Sequence, residues 1–343
     1  MVFQSQVPRN QLPKLNFLRL YELDDAQATS PYWFLQNISS LEWLFIQDYS
    51  FKVIFPEERP RDENGEIEIK TQIKKLTLYK LNELQHICRE GCQLDPVLDV
   101  LEYLDVDKCS NLKHLVPSSV TLNHLTHLEV QNCSGLMYLI TSATARSLVK
   151  LTTLKIIECD SVELIVAEEE GESRNEIAFN SLEVLELDSL SKLQMFCSSN
   201  YSMKLPLLEK LVIRRCPRMT SFSGRETSAP MLRKILTDEQ EGIWCWEGDL
   251  TRTVSKMFQD MSASTSGALS YEEDGAESKA NEIDNSGKQE IRKHTIPHTG
   301  SSNYAKPSSP ARTFASASKE VDFNRPLHSQ IAAIEENRDG GKV

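Results

Sequence analysis

The clearest regularity in the chain is a recurring group of apolar residues with the spacing L-x-x-L-x-L. The group occurs eight times, and its first apolar residues are Leu15, Leu41, Ile73, Leu101, Leu125, Leu151, Leu182 and Leu208. A weaker ninth group begins at Leu232. Successive groups start 24 to 32 residues apart. Such self-similarity predicts stacked structural units rather than one irregular globular core.

Each group predicts one short β-strand, because its apolar positions alternate with other residues. In the sixth group, Leu154 and Ile156 fall on one face of a strand and Lys155 on the other. A second apolar pair, such as Val162 and Ile165, is expected to cover the strand from behind. The pattern and period are typical of leucine-rich repeats. The predicted fold is therefore an α/β leucine-rich-repeat solenoid, a horseshoe with a parallel concave sheet and an irregular convex side.

Four cysteines recur at one position, directly after the predicted strands. They are Cys109, Cys133, Cys159 and Cys216. Leu or Tyr occupies the same position in other repeats, as at Leu81, Leu190 and Tyr49. Because a metal or redox site does not tolerate such exchange, we interpret these cysteines as small buried side chains.

The pattern divides the chain into four parts. Residues 1–12 form an N-terminal segment, 13–236 the eight or nine repeats, 237–260 a C-terminal cap and 261–343 a disordered tail. In the cap, Asp249 is predicted to be the N-cap of an amphipathic helix. The tail is polar and lacks apolar periodicity. The acidic insertions 56–68 and 167–176 are interpreted as solvated loops; the alternative is an acidic flap for a basic partner surface.

The charge and the amino-acid composition argue against several classes of protein. The net charge of −12 argues against nucleic acid as the main partner, because phosphate binding needs a basic surface. No segment has the roughly 18 apolar residues of a membrane span, and the N-terminus has no secretory signal pattern. Eight cysteines in 343 residues are too few for a disulfide scaffold. These observations predict a cytoplasmic protein.

The exposed strand positions form the candidate binding surface. Along the chain this surface changes from aromatic, through acidic, to basic, and aromatic residues and arginine are enriched at protein interfaces. The predicted protein-binding residues are Arg19, Tyr21, Trp43, Phe45, Tyr79, Tyr103, Asp105, Asp107, Glu129, Lys155, Glu186, Asp188, Lys210, Arg214 and Arg215. An alternative for the first aromatic residues is that an N-terminal neighbour covers them. Charge reversal of Arg214 and Arg215 is expected to weaken binding without unfolding the chain.

Catalytic motifs are absent from the sequence. It contains no phosphate-binding loop, dinucleotide fingerprint, metalloprotease or hydrolase motif. The triplet of His86, Cys88 and Cys92 lacks a second ligand pair at zinc spacing. We therefore predict no enzyme activity, no cofactor and no metal. A hydrolase that uses Asp105 and Asp107 as a carboxylate pair is the weaker alternative.

The C-terminal repeats resemble those of one family. The segments CPRM (216–219), TSAPMLRKI (227–235) and WEGDL (246–250), with an acidic insertion before Phe179, resemble the C-terminal leucine-rich repeats of plant coiled-coil nucleotide-binding (NB-LRR) disease resistance proteins. The resemblance extends from about Gln11 to Phe258. It does not include the family's coiled coil or nucleotide switch, so the ATP/ADP switch is not carried over. Without a polar cap before Leu15, we expect a fragment, a truncated product or a mis-predicted gene product.

The resemblance implies a recognition role in plant innate immunity. Its expected partners are a pathogen effector, a guarded host protein or the nucleotide-binding domain of a receptor. The alternative function is a leucine-rich-repeat adaptor or scaffold outside defence.

Overall fold

The structure is a computed structural model, and it describes residues 15–21, 31, 35, 38, 40–55, 72–90, 98–169, 176–198, 200–237, 243–244 and 248–268. The chain divides into two compact units, one of Met1–Ser262 with Ser318–Val343 and one of Ala263–Ala317. The features discussed below belong to the first unit, except residues 263–268. Of the predicted parts, segment 1–12, insertion 56–68, residues 170–175 of the second insertion and residues 269–343 lie outside the described residues.

The described elements are mainly short strands. In chain order the strands are β1 (Phe17–Tyr21), β2 (Trp43–Gln47), β3 (Val53–Phe55), β4 (Lys75–Tyr79), β5 (His86–Cys88), β6 (Tyr103–Asp107), β7 (His127–Gln131), β8 (Tyr138–Thr141), β9 (Thr153–Ile157), β10 (Leu164–Ala167), β11 (Glu176–Ala178), β12 (Val184–Asp188), β13 (Met195–Cys197), β14 (Ser202–Lys204), β15 (Lys210–Arg214), β16 (Thr227–Ser228), β17 (Ile235–Leu236) and β18 (Ile243–Trp244). Among the described residues, the helices with defined bounds are α1 (Ser142–Ser147) and α2 (Leu250–Ala268).

One long sheet contains the strand of every predicted repeat. Its order is β1-β2-β4-β6-β7-β9-β12-β15-β17-β18. The first nine strands are parallel, and they confirm the eight strong groups and the weaker ninth. Strand β18 pairs antiparallel with β17, which the repeat pattern did not predict. The fold is the predicted leucine-rich-repeat solenoid.

The core is a stack of identical positions from neighbouring repeats. The second residue of each strand pairs in register with its counterpart, for example Leu154 with Leu185 and Leu185 with Leu211. These leucines are fully buried. Burying a leucine side chain contributes about 1.5–3 kcal/mol, so one repeat gains its stability mainly by covering the next.

The later member of several second apolar pairs lies in a short strand rather than in irregular structure, as Ile165 does in β10 and Phe196 in β13. The short parallel sheets have the orders β3-β5, β13-β10-β8 and β11-β14-β16. Val166 and Cys197 are partners there, and both side chains are buried in the common core. The predicted irregular side of the solenoid is therefore partly ordered into sheets.

Each long-sheet strand from β2 to β15 is followed by a residue with positive φ. The set is Asp48, Lys80, Lys108, Asn132, Glu158, Ser189 and Arg215, with φ between 47° and 57°. Outside glycine, this conformation costs roughly 1 kcal/mol per residue. The stack offsets that cost, because the amide of Lys108 donates to the carbonyl of Gln131 in the next repeat at 3.1 Å. The amides of Asp48, Lys80, Asn132, Glu158 and Ser189 make the same contact with the repeat that follows each of them. The turn thus links adjacent repeats.

The cysteine prediction is confirmed. Cys109, Cys133, Cys159 and Cys216 are buried, and each Sγ lies within hydrogen-bonding distance of two backbone carbonyls. For Cys133, the Sγ contacts the carbonyl oxygen of Gln131 at 3.1 Å. Burial raises the pKa of Cys216 to about 11, so this thiol is protonated at neutral pH. These side chains fill a structural position at the turn.

The predicted N-cap at Asp249 is also confirmed. Its Oδ1 accepts a hydrogen bond from the amide of Arg252 at 2.7 Å, and its Oδ2 accepts one from the amide of Thr227 at 2.7 Å. Leu250, Val254 and Met257 of α2 are buried in the repeat core. Helix α2 continues to Ala268, eight residues beyond the predicted end of the cap.

Candidate protein-binding face

The exposed side of the long sheet carries three parallel rows of side chains, which we call the open face. The rows come from the first, third and fifth positions of the eight strands from β1 to β15. The central row contains, in register, Arg19, Phe45, Thr77, Asp105, Glu129, Lys155, Glu186 and Val212. The outer rows run from Phe17 to Lys210 and from Tyr21 to Arg214. Fourteen of the fifteen predicted binding residues lie on this face.

The first two strands carry an aromatic surface covered by cations. Phe17 and Trp43 are adjacent in register and meet edge to face, with ring centroids 4.8 Å apart. The ammonium of Lys75 lies 5.5 Å from the Trp43 ring, and the guanidinium of Arg19 lies 4.8 Å from the Phe45 ring. Trp43 keeps 41% of its surface exposed, which is unusual for so large an apolar side chain.

A second contact between a cation and an aromatic ring lies in the outer row that runs from Tyr21 to Arg214. The Lys108 ammonium lies 5.1 Å from the centroid of the Tyr79 ring and donates a hydrogen bond to its hydroxyl at 3.2 Å. That hydrogen bond raises the pKa of Lys108. Lys108 was missed by the sequence reasoning, because it follows strand β6 instead of lying on it. Its positive φ turns the side chain back toward the preceding repeat.

Carboxylates converge at the centre of the face. Asp105 and Glu129 are direct partners across β6 and β7, and Asp107 shares their side of the sheet. Burial, with the charges of Glu129 and Asp107, raises the pKa of Asp105 to about 6, although the ammonium of Lys155 opposes the shift. Lys155 lies 3.7 Å from Glu129 Oε2. Near neutral pH the centre is therefore negatively charged, and Asp105 is ionised at a cost to the fold.

Replacing Asp105 with asparagine is expected to stabilise the chain at pH 7 by about 1 kcal/mol, after allowance for solvent screening. The folded-state pKa of about 6 lies above the ordinary value of 3.8. The contribution of Asp105 to the stability of the wild type therefore falls as pH rises from about 4 to about 6 and then stays level. The variant lacks this decrease, so urea unfolding at pH 4 and pH 7 measures the effect. Equal or lower stability of the variant at pH 7 contradicts the electrostatic assignment.

At the basic end, the structure changes two expectations. Asp188 was predicted to be an exposed binding residue, but it is only 6% exposed. Arg215 does not lie on the open face, since it follows β15 at the turn with positive φ. Its Nη2 donates to Asp188 Oδ1 at 2.6 Å and its Nε donates to Ser189 Oγ at 2.7 Å. Arg215 therefore holds a buried carboxylate, and its reversal to glutamate is now expected to destabilise the fold.

The structure leaves the remaining basic end on the surface. Lys210 begins β15 and is exposed, while Arg214 ends it and is half-buried. The partner strand β17 follows Lys234, which is also exposed. Val212, between Lys210 and Arg214 in β15, is only 1% exposed, although alternation placed it on the open face. At this end the open face therefore presents one cation in each outer row, Lys210 and Arg214, on either side of the buried Val212.

Within the described residues, no group of three His, Cys, Asp or Glu side chains is arranged to hold a metal ion. His86 of β5 and His114 are joined by an isolated parallel bridge, and their ring centroids lie 6.3 Å apart. Burial and the charge of His114 lower the pKa of His86. Nor is any described helix long and apolar enough to cross a bilayer.

A comparison with known protein families shows the family to which the chain belongs. The sequence matches the leucine-rich repeats described as plant disease resistance protein RPS2-like, over residues 1–134 and 120–223. The two matches together span 1–223 of the 343 residues. The chain belongs to this family. The RPS2-like repeats include every strand of the open face, and such solenoids are typically non-catalytic scaffolds for protein interaction. No curated protein matches the chain.

Proposed function

We propose that this chain is the recognition module of a plant disease resistance protein. It binds a pathogen effector or a guarded host protein in the cytoplasm, and it relays that event to a nucleotide-binding receptor domain. The RPS2-like family supports the defence role. Nucleotide switching and catalysis are assigned to other domains or proteins, not to the repeats.

The observation that carries this proposal is the composition of the open face. Its aromatic end contains a 41% exposed tryptophan, Trp43, which is a residue type that dominates interface energetics. Its centre is acidic and its far end is basic, so a partner is aligned along the sheet by charge. We infer that a cationic group of the partner sits near Asp105 and Glu129, where it offsets the burial and the repulsion that raise the pKa of Asp105.

The test is recovery of partners from plant tissue with the tagged full-length chain. Three variants probe the three zones of the open face: Trp43→Ala, Glu129→Lys and Lys210→Glu. We expect Trp43→Ala to weaken a direct partner at least tenfold, because aromatic anchors contribute about 2 kcal/mol or more. The charge variants are expected to slow association more than they speed dissociation. Affinity of the purified pair is measured by calorimetry or surface plasmon resonance.

The matched control is Met137→Ala. Met137 is 61% exposed and precedes β8 of a short sheet, so it is an exposed apolar residue away from the open face. Its variant is expected to bind normally, and thermal unfolding verifies that every variant is folded. If a partner binds all three open-face variants with the affinity of the wild type, the open face is not its binding surface. Partners recovered equally from healthy and infected tissue favour the adaptor function outside defence.

A further inference from the structure

A cavity of about 460 Å³ lies at the C-terminal end of the repeats, apart from the open face. It is bounded by the turns after β9, β12 and β15, by the segment after β17 and by helix α2. Its apolar wall is formed by Ile213, Pro217, Met257 and Phe258. Ser191 and Arg215 lie at its exposed rim. We call this cavity the cap pocket.

Most polar groups of the cap pocket are already hydrogen-bonded within the chain. Ser191 Oγ donates to the carbonyl of Asp160 at 3.2 Å, and Ser189 Oγ donates to Asp188 Oδ1 at 3.0 Å. Arg215 uses its Nε and Nη2 in the contacts described above. Because a guanidinium has five N–H donors, others remain available to a ligand. The pocket therefore offers an apolar wall with one charged donor at its edge.

The surroundings of the cap pocket are cationic, although the whole chain has a net charge of −12. Among its lining residues and their described chain neighbours, two residues are acidic and five are basic. The acidic ones are Asp160 and Asp188, and the basic ones are Lys192, Arg214, Arg215, Arg218 and Lys256. Lys192 and Arg218 are exposed and have no ion pair among the residues that the structure describes. A negatively charged partner segment complements this rim.

We propose that the cap pocket receives an aromatic side chain from an acidic segment of the protein partner. The proposal rests on the proposed function only in taking the partner to be a protein. The volume lies in the range of binding pockets, and aromatic anchors that fill pockets are the usual centres of interface energy. Phe258, which is half-buried, offers an aromatic surface to such a ring. Carboxylates beside the anchor pair with Arg215 and Arg218.

Synthetic peptides test the chemistry directly on the full chain. The probe is a fluorescein-labelled 12-residue peptide of glutamate and serine with one central tryptophan, measured by fluorescence anisotropy. Replacing its tryptophan with serine is expected to weaken binding at least tenfold, and replacing its glutamates with glutamine is expected to do the same at low salt. Equal binding of the tryptophan and serine peptides overturns the proposal.

Variants of the chain locate the site. Ser191→Trp places a large side chain at the mouth from an exposed position, so it is expected to reduce peptide binding at least tenfold with an unchanged melting temperature. Ser191→Ala is the matched control and is expected to bind normally. Arg218→Gln is expected to weaken binding threefold or more, without disturbing the pair of Arg215 and Asp188. Normal binding by both Ser191→Trp and Arg218→Gln overturns the assignment to this pocket.

The same variants separate this proposal from the open-face function. If Trp43→Ala abolishes capture of the tissue partner while Ser191→Trp leaves capture and peptide binding unchanged, the pocket proposal fails and the open face stands. If Ser191→Trp alone abolishes capture, the open face fails as the main surface. If each of the two variants separately abolishes capture of the tissue partner, the partner contacts both surfaces.

Discussion

Leu185→Ala is expected to reduce the free energy of unfolding by about 2–5 kcal/mol. Leu185 is fully buried in β12, where it is in register with Leu154 on one side and Leu211 on the other. Truncation removes its own burial and leaves a cavity that both neighbouring repeats line. Because each repeat is stable mainly through its neighbours, we expect the loss to spread along the stack. Urea unfolding followed by far-ultraviolet circular dichroism measures the change.

The control for this prediction is Leu207→Ala in the next repeat. Leu207 is 46% exposed and precedes β15, so its truncation is expected to cost less than about 0.5 kcal/mol. The pair has the same chemistry and differs in burial. A loss below 1 kcal/mol for Leu185→Ala shows that the assigned register of β12 is wrong.

The sequence predicted the long sheet well because its signal is repeated. Any single group, such as the one at Ile73, is a weak indication of a strand. Eight groups at similar spacing support one another, and they place Leu154 and Leu185 on the same buried row. The antiparallel β18 lacked such support, since it consists of two residues outside the repeat pattern. The short sheets were expected only as apolar contacts, because two or three residues carry too little periodicity to define a strand.

The turn conformation was not predictable from residue type. Positive φ favours glycine or asparagine, yet only Asn132 among the seven turn residues is of either type. Lys108 adopts it because its amide hydrogen bond to the next repeat and the packing of the stack determine the backbone there. Arg215 occupies the same turn position one residue after its strand. This conformation explains two differences at the candidate surface: Lys108 reaches Tyr79, and Arg215 turns to Asp188. Strand alternation alone cannot describe side chains that leave the strand.

Burial on the open face also depended on neighbours. Alternation correctly placed Asp105 and Glu129 side by side, because register follows from the shared leucine positions. It did not indicate that Asp188 is covered, since that depends on an arginine from another repeat. The local sequence therefore predicts which strand position a side chain occupies. The exposed fraction of that side chain depends on residues about one repeat away, which the local sequence does not contain.

Asp249→Ala is expected to reduce the free energy of unfolding by about 2–4 kcal/mol. Loss of the N-cap of α2 costs about 1 kcal/mol. The amide of Thr227, a fully buried residue, also loses its acceptor, which costs about 1–3 kcal/mol more. One carboxylate thus joins the helix to the last short sheet, so its removal weakens both at once. Chemical denaturation gives the total loss, and hydrogen exchange locates it.

The location of the loss distinguishes a cap from an ordinary stabilising contact. Terminal repeats protect the exposed edge of a solenoid core. We therefore expect exchange to increase first at Thr227, at the amide of Thr253, which donates to the Asp249 carbonyl at 2.9 Å, and in β15 and β17. Asp249→Asn keeps one acceptor oxygen and is expected to lose less, and Arg252→Ala, at an exposed position of α2, is expected to change little. Increased exchange confined to α2, with β15 unaffected, contradicts the capping role, because it shows that the repeats are stable without the helix.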